Sequence, residues 1–288
     1  MNRWVLGARP RTLPAAVVPV VVGTAAAVGG PGGITWWRAG AAMVVALAVQ
    51  VFTNYQNDYA DGVRGTDDHR VGPVRLVAGG LATAKQVRTA SLVAAVVAGL
   101  AGLALAIAVN PVLLLVGAAS LAAGYFYTGG PRPYGYAGYG EAFVFVFFGL
   151  VATVGSAYVQ SEQITLLAVV AAVPVGLLAT ALLVVNNLRD IPTDSVTGKR
   201  TLAVRLGDRR IRSLYAGLLV VAFASLPLLA IGRRPALLGL LAIPFALRPL
   251  RTVARGALGP ALVPVLGDTG RLQLIFGILL GAGLALGG

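Results

Sequence analysis

Two segments of the sequence gather carboxylate and carboxamide side chains at helical spacing, and both follow long apolar runs. The first reads NYQNDYADGVRGTDDHR, from Asn54 to Arg70, and holds four of the ten Asp and Glu residues in the chain. The second reads NNLRDIPTD, from Asn186 to Asp194. The pattern Asn-x-x-x-Asp thus recurs 132 residues along the chain. We interpret the two segments as copies in a parallel internal repeat.

The polar residues of each segment share one face of a helix, because residues three and four positions apart lie above one another. The face of the first segment consists of Gln50, Asn54, Asn57, Asp58 and Asp61. In the second, Asn187, Asp190 and Asp194 follow at steps of three and four. A polar face at the end of an apolar helix has to meet a cavity or another protein surface.

Facing clusters of carboxylates repel one another unless divalent cations lie between them. The chain has no Cys and a single His, so a metal would be bound by oxygen, which favours magnesium or calcium. Magnesium typically takes one or two carboxylates together with substrate phosphates. Basic residues follow both segments, and we predict that they bind a diphosphate: Arg64, Arg75, Lys199 and Arg205.

The elements that position these residues are membrane helices. The chain is 57% hydrophobic and 11% charged, whereas a soluble domain carries about 25% charged residues. Runs of about 20 apolar residues are typical of bilayer spans. We predict one domain over residues 1–288, an all-α polytopic membrane protein with nine spans: 13–30, 38–60, 88–109, 111–128, 140–159, 164–190, 212–231, 235–253 and 271–287.

The distribution of charge predicts the orientation of these spans. With the N-terminus in the cytoplasm, 20 of the 23 Lys and Arg residues fall inside, as expected from the positive-inside rule. An odd number of spans then places the C-terminus outside. Part of the net charge of +13 is thus explained by the orientation of the protein in the membrane. It does not require nucleic acid as a partner. Nine of the ten acidic residues also fall inside, which the orientation rule does not require.

The motifs resemble those of the UbiA superfamily of intramembrane prenyltransferases. NDYADGVRGTD and NNLRDIPTDSVTGKRTLAVRLG are similar to its two aspartate-rich motifs. The likeness extends to ARPRTLPAAVVPVVVG near the start and GPALVPVLGDTGRLQL near the end. YTGGP and GKRTLAVRLG are most similar to one subgroup, the polyprenyltransferases that act on 1,4-dihydroxy-2-naphthoate in menaquinone synthesis.

The resemblance implies a bundle of nine helices around a central cavity that opens to the cytoplasm, with Mg²⁺ held between the two motifs. Carried onto this chain, the metal ligands would be Asp58, Asp61, Asp190, Asp194 and Asp67. Many relatives have their last acid where this chain has Gly65, which weakens the assignment of Asp67. Asn57 and Asn187 would join the diphosphate site, and Lys199 the catalytic set. Pro192 disfavours helix at the residue before it, so Asp194 is expected on an irregular turn.

The implied activity is Mg²⁺-dependent transfer of a polyprenyl group from its diphosphate to 1,4-dihydroxy-2-naphthoate, with loss of CO2 and formation of a demethylmenaquinone. The implied setting is the lipid of a bacterial plasma membrane. Two alternatives remain open: another transferase of this superfamily with a hydroxybenzoate, haem or sugar-phosphate acceptor, and a transporter of cations or lipids. Acids paired with Lys and Arg at one end of the membrane favour the enzyme over the transporter. The sequence does not predict the oligomeric state.

Four tyrosines and one glutamate near the inner ends of the spans have less definite predicted roles. Tyr127, Tyr134, Tyr136 and Tyr139 are interpreted chiefly as an interfacial aromatic belt. Glu141 either supports the metal site or pairs with Arg132.

Overall fold

Apolar helices account for most of the chain, as the composition predicts. The computed structural model describes residues 2–30, 32–66, 72 and 74–288, and these contain helices and no strand. The α-helices are α1 (Arg3–Ala8), α2 (Pro14–Ala26), α3 (Trp36–Arg64), α4 (Ala84–Ala108), α5 (Val112–Thr128), α6 (Gly140–Val144), α7 (Ala152–Ser161), α8 (Leu166–Val196), α9 (Leu202–Ala224), α10 (Leu226–Gly232), α11 (Ile243–Ala254) and α12 (Leu262–Leu286). Short 3-10 segments cover Pro10–Thr12, Arg234–Ala242 and Gly259–Ala261, and a π-helical segment covers Phe145–Val151.

Seven helical stretches of the described residues are long and apolar enough to cross a membrane. They are Trp36–Arg64, Ala84–Ala108, Gly140–Ser161, Leu166–Val196, Leu202–Gly232, Arg234–Ala254 and Gly259–Leu286. An eighth arises if Arg3–Thr12 and Pro14–Ala26, which meet at 54°, form one broken span. The apolar helix α5 is shorter, at 17 residues. The polytopic all-α prediction is confirmed, and the count of nine spans stays a prediction.

Helix α8 is the centre of the bundle. Its most apolar stretch of 18 residues is 72% buried, against 22% for the corresponding stretch of α3. It packs against α2, α9, α12 and the π-helical segment. Where it meets that segment, a Cβ on Gly149 would lie only 2.6 Å from the Cα of Gly176. Two glycines therefore let the two backbones approach closely, a device that membrane helices use often.

Both acidic segments lie on helices, and both helices run further than predicted. Helix α3 continues to Arg64, and α8 continues six residues past the predicted end of its span, to Val196. The prediction that Asp194 lies on an irregular turn is therefore wrong. Pro192 removes one backbone hydrogen bond, but the turns beside it stay helical, and the hydroxyl of Ser195 donates to the carbonyl of Ile191 at 2.7 Å.

Two arginines join helix ends at the end of the bundle opposite the acidic segments. Arg38 donates to the carbonyls of Ala108 and Val159 at 3.2 and 3.1 Å, and it pairs with Glu162. Arg233 donates to carbonyls at the ends of α2 and α12. The last carbonyls of a helix have no partner within it. These cations therefore satisfy helix ends that would otherwise be left without a donor.

Candidate functional site

A cavity of about 1070 Å³ lies between α2, α3, α5, α7 and α8, at the upper end of the size typical of ligand sites. Its polar residues come mainly from the C-terminal parts of α3 and α8 and from the segments that follow them. They are Asn57, Asp58, Asp61, Arg75, Asn187, Asp190, Asp194 and Lys199. The remaining wall is mostly apolar, with Val45, Val49, Leu105, Leu113, Phe147, Val151 and Val159 among its residues. The structure thus brings the two acidic segments into one cavity.

Asp58 is bound by backbone amides of the loop that precedes α4. Its Oδ2 accepts from the N–H of Leu76 at 2.9 Å, and its Oδ1 accepts from the N–H of Val77 at 3.0 Å. Only 1% of Asp58 is exposed. Hydrogen bonds to a carboxylate are about twice as strong as neutral ones. Asp58 therefore fixes this loop to α3 and places Arg75, which lines the cavity.

Asp61 has three polar neighbours that reach it from different parts of the chain. Its Oδ1 accepts from the hydroxyls of Tyr136 and Thr66, and the Nζ of Lys199 lies 3.2 Å from the same oxygen. Burial, and then the charge of Asp61, raises the pKa of Tyr136 above its usual range. The hydroxyl of Tyr136 therefore stays protonated and donates.

The ring of Tyr136 lies between cations that follow the two motifs. The Nζ of Lys199 is 4.8 Å from its centroid, and the Cζ of Arg64 is 5.7 Å from it. Both distances are within the range of a cation–π contact. The carbonyl of Tyr136 also accepts from the N–H of Arg200 at 2.9 Å. The segment between α5 and α6 therefore holds the two motifs together.

A turn after α8 returns Lys199 to the cavity. Gly198 adopts φ 77°, and the N–H of Lys199 donates to the carbonyl of Asp194 at 2.9 Å. This is the hydrogen bond of a Schellman motif, which needs the left-handed conformation that glycine adopts readily. The short string Thr-Gly-Lys therefore places an ammonium group above the last turn of the acidic helix.

Asn187 of the second motif is held by a side chain, whereas Asp58 of the first is held by backbone amides. Asn187 donates through Nδ2 to Oε1 of Glu141 at 2.9 Å, and both residues are buried. The other oxygen of Glu141 has no hydrogen-bond partner among the described residues. Because Asn187 gives its amide nitrogen to Glu141, the carboxamide oxygen of Asn187 is the end left for the cavity.

Asp190 is paired with the residue before it. The Nε of Arg189 lies 2.7 Å from its Oδ1, and the Nη2 of Arg189 lies 2.8 Å from its Oδ2. The guanidinium also donates to Asn186, and Arg189 is 2% exposed. A planar guanidinium with two parallel donors is the strongest common partner of a carboxylate. It offsets the negative charge that the second motif gathers.

The other predicted residues lie elsewhere. Arg64 donates to the carbonyls of Thr128 and Gly130, and Arg205 donates to that of Arg200 at 3.2 Å. Neither belongs to the cavity lining, so their part in diphosphate binding stays a prediction. Asp67 lies outside the described residues.

Magnesium fits the donor set at the polar end of the cavity. Asp61, Asp190, Asp194 and the oxygen of Asn187 are hard oxygen donors of the kind that it prefers. Lys199 approaches Asp61 as a cation within 3.2 Å, so this carboxylate already faces positive charge. In the described part of the chain, no three Asp, Glu or His residues are close enough to bind a metal by themselves. Magnesium commonly completes its shell with water and substrate phosphates.

A family model for UbiA prenyltransferases matches residues 16–257. The chain belongs to the UbiA prenyltransferase family. The resemblance inferred from the motifs is thereby confirmed, and UbiA-family membership makes this polytopic membrane protein an enzyme of prenyl transfer.

Relatives within the family match over nearly their full length. The chain is 50% identical to the 1,4-dihydroxy-2-naphthoate octaprenyltransferase of Mycobacterium tuberculosis, over 99% of this chain and 97% of the relative. It is 37% identical to the protein of the same name from Escherichia coli, over 98% and 95%. A UbiA homologue from Archaeoglobus fulgidus, solved with GPP and Mg²⁺, has the same fold, with a TM-score of 0.70, 14% identity and coverage of 98% and 100%.

Three residues of the candidate site were missed or left undecided from the sequence. Arg189 lies within the second motif but had no assigned partner. Glu141 meets Asn187, and none of the described ion pairs joins it to Arg132. Tyr136 meets Asp61 from 75 residues away. Of these contacts, the sequence could have predicted only the one between Arg189 and Asn186, because residues three positions apart are neighbours on a helix.

Proposed function

We propose that this protein transfers a polyprenyl group from polyprenyl diphosphate to 1,4-dihydroxy-2-naphthoate, with loss of CO2, giving a demethylmenaquinone. The observation that carries the proposal is the division of one cavity into a polar end with four acids and an apolar remainder. That division suits a substrate with a charged diphosphate head and a hydrocarbon tail. The mycobacterial relative, 50% identical over nearly the whole chain, supports the acceptor.

The polar end would bind and orient the diphosphate. Asp61, Asp190, Asp194 and Asn187 would hold Mg²⁺, which when bound supplies positive charge to the diphosphate as it leaves. Lys199 lines this end and would add a charge-assisted contact to the phosphate oxygens. In this assignment Asp58 positions the loop that carries Arg75.

The apolar wall would exclude water from the reacting carbon. When the C–O bond of the prenyl diphosphate breaks, its electron pair leaves with the diphosphate and an allylic cation remains. The ring carbon that bears the carboxylate attacks this cation with a π pair and forms the new C–C bond. The pair of the C–carboxylate bond then restores the ring as CO2 departs. Water at this stage would capture the cation, which a closed hydrocarbon surface prevents.

The proposed setting is the plasma membrane of a bacterium, with nine spans, the N-terminus in the cytoplasm, the C-terminus outside and the cavity open to the cytoplasm. The placement of 20 of 23 Lys and Arg residues on one side of the predicted spans supports this orientation.

The decisive experiment measures products by mass. Purified protein in detergent or nanodiscs is incubated with Mg²⁺, a polyprenyl diphosphate and a panel of 1,4-dihydroxy-2-naphthoate, 4-hydroxybenzoate and a sugar phosphate. We expect a prenylated naphthalenediol lacking the carboxyl group. Excess chelator should abolish turnover and weaken prenyl-diphosphate binding, and added Mg²⁺ should restore both. A product from another acceptor, or full activity in chelator, would overturn the acceptor or the metal assignment, respectively.

A further inference from the structure

Three arginines share one exposed face of α11 near its C-terminal end. Arg248, Arg251 and Arg255 (the arginine row) follow one another at steps of three and four. At about 100° per residue they fall within roughly 60° of arc. All three are exposed, and the row extends about 10 Å along the helix at a rise of about 1.5 Å per residue. The end of α11 therefore presents three guanidinium groups to its surroundings.

The carbonyls at the end of α11 already have another arginine as their donor. Arg212 of α9 donates through Nη1 to the carbonyl of Val253 at 2.7 Å and through Nη2 to that of Ala257 at 2.8 Å. The charge of Arg212 is offset by Asp208, whose Oδ1 lies 2.6 Å from Nη2. Cations often stabilise the C-terminus of a helix, but Arg212 supplies that contact here. The arginine row is therefore left for another partner.

Most of the charge of the arginine row is not neutralised within the described part of the chain. The Nε of Arg248 lies 3.4 Å from Oδ2 of Asp268. The guanidinium groups of Arg251 and Arg255 make no hydrogen bond or ion pair with the residues that the structure describes. The positive-inside rule accounts for cations on one side of a membrane, but it does not require them on one face of one helix. The row therefore needs a further explanation.

The surface of α11 is apolar just before the arginine row. The stretch Arg234–Ala254 is long and apolar enough to cross a membrane. Phe245 and Leu247, which lie on either side of the face that carries the row, are 45% and 41% exposed. Exposed apolar side chains on a spanning helix contact acyl chains, whereas arginines near its end reach the headgroups. The surface thus changes from apolar to cationic along the helix, which complements an anionic phospholipid.

We propose that the arginine row binds the headgroup of an anionic phospholipid, whose acyl chains lie along Phe245 and Leu247. Arg251 and Arg255 pair with the phosphate oxygens, and Arg248 contributes less because it shares its charge with Asp268. Basic clusters beside spanning helices attract anionic lipids, and a planar guanidinium matches the geometry of a phosphate. This lipid site lies outside the central cavity and does not depend on the proposed function.

The test measures which lipid lies next to the arginine row. The chain has no Cys, so Leu247→Cys supplies a single attachment point for a fluorophore beside this face. The labelled protein is placed in nanodiscs, and quenching by brominated phosphatidylglycerol is compared with quenching by brominated phosphatidylcholine at equal mole fractions. We expect phosphatidylglycerol to be enriched about tenfold or more at the label, since each nearby cation contributes about fivefold. High salt should lower this preference because the arginines are exposed.

Arg251→Gln and Arg255→Gln, introduced together, should lower the preference for phosphatidylglycerol about tenfold or more. Quenching by phosphatidylcholine should stay the same. Glutamine is a good helix former, so the thermal stability of this double variant in phosphatidylcholine should match that of the labelled parent.

The matched control is Lys85→Gln with Arg88→Gln. These two exposed cations lie three residues apart at the start of α4, and their loss changes the net charge by the same amount. The control should keep the lipid preference of the parent.

Soluble glycerol phosphate separates a lipid site from a site for free phosphate. In large excess, and at constant ionic strength, it should leave the preference unchanged, because the acyl chains hold the headgroup in place. If it displaces the lipid, free phosphate is the ligand and the proposal is wrong. Equal quenching by the two lipids in the parent would also overturn the proposal. So would an equal loss in the control, which would indicate a general attraction between the protein and an anionic membrane.

Discussion

The ends of α3 and α8 share the spacing Asn-x-x-x-Asp, yet their aspartates have different partners. Asp58 accepts two backbone N–H groups from a loop, whereas Asp190 accepts the side chain of Arg189. A backbone amide is fixed by the fold, while a guanidinium can rotate toward another anion. The repeat in sequence therefore places two equivalent carboxylates at the cavity, and their partners differ. The assignment of Asp58, Asp61 and Asp190 as metal ligands stays a prediction, and we expect Asp58 chiefly to hold the loop and Asp61 and Asp190 to face the ligands.

The largest effect is expected at the two acids that we predict to face the ligands, Asp61 and Asp190. Asp61→Asn and Asp190→Asn should each lower kcat/KM roughly a hundredfold or more, because several kcal/mol of metal-derived charge stabilisation is lost. Asparagine keeps an acceptor for Tyr136 or Arg189, so folding should be retained. The control is Asp208→Asn, whose aspartate pairs with Arg212 at the surface. Near-normal turnover in either cavity variant would remove that residue from the metal site.

Asp58→Ala tests the structural side of the comparison. Two charge-assisted hydrogen bonds of about 1.5–3 kcal/mol each are lost, so we expect the free energy of unfolding to fall by about 3–6 kcal/mol. Amide hydrogen exchange at Leu76 and Val77 should accelerate, and exchange elsewhere on α3 should change little. Activity should fall as well, because the loop positions Arg75. A variant with unchanged exchange at both amides and lost Mg²⁺ dependence would make Asp58 equivalent to Asp190.

Variants of Lys199 and Arg205 test whether lining the cavity decides which cation binds the diphosphate. The sequence predicted this role for both residues, but only Lys199 lines the cavity. Lys199→Ala should raise KM for the prenyl diphosphate about ten- to a hundredfold, the size of a lost charge-assisted contact. Arg205→Ala should change it by about twofold or less, as for an exposed cation. Steady-state kinetics with each substrate varied in turn measure both. Equal losses in the two variants would contradict the placement.

Apart from the expected near-neutral Arg205→Ala, the smallest effect is expected at Glu141, which contacts the site only through Asn187. Glu141→Gln can still hold the carboxamide, but it no longer fixes which end faces the cavity. We expect the Mg²⁺ concentration needed for half-maximal diphosphate binding to rise about tenfold, as for partners of metal ligands. Glu141→Asp should recover part of the loss if it reaches Asn187. A change in kcat with no change in metal dependence would assign Glu141 another role.

Much of this site follows from local spacing. Asp58 and Asp61, like Asp190 and Asp194, are three or four residues apart, so a helix places each pair on one face whatever its neighbours are. The all-helical membrane class follows from the length and number of apolar runs. The extension of α8 past Pro192 did not follow, because the proline removes only one backbone hydrogen bond and those on either side continue the helix.

The partners of the motif residues could not be predicted, because they depend on long-range packing. Glu141 and Asn187 are 46 residues apart, and Tyr136 and Asp61 are 75 apart. No periodicity of either segment indicates these contacts. The hydrogen bonds of Asp58 to Leu76 and Val77 could not be predicted for another reason. Every residue except proline offers the same backbone N–H, so the sequence does not mark which residues donate.

The π-helical segment Phe145–Val151 lies within the span Gly140–Ser161. Because of it, the number of residues in the span matters for the contacts of its two ends as much as the residue types do. It separates Glu141, which binds Asn187, from Gln160, which accepts from the N–H of Thr35. A π-turn accommodates one residue more than an α-turn. If the same residues formed a regular α-helix, one half of the span would be rotated against the other by about 100°. Thr35 and Asn187 could then no longer be reached together. Deleting one residue within the segment would let the helix become regular without this rotation, whereas a deletion elsewhere in the span would produce it and would separate Glu141 from Asn187 or Gln160 from Thr35.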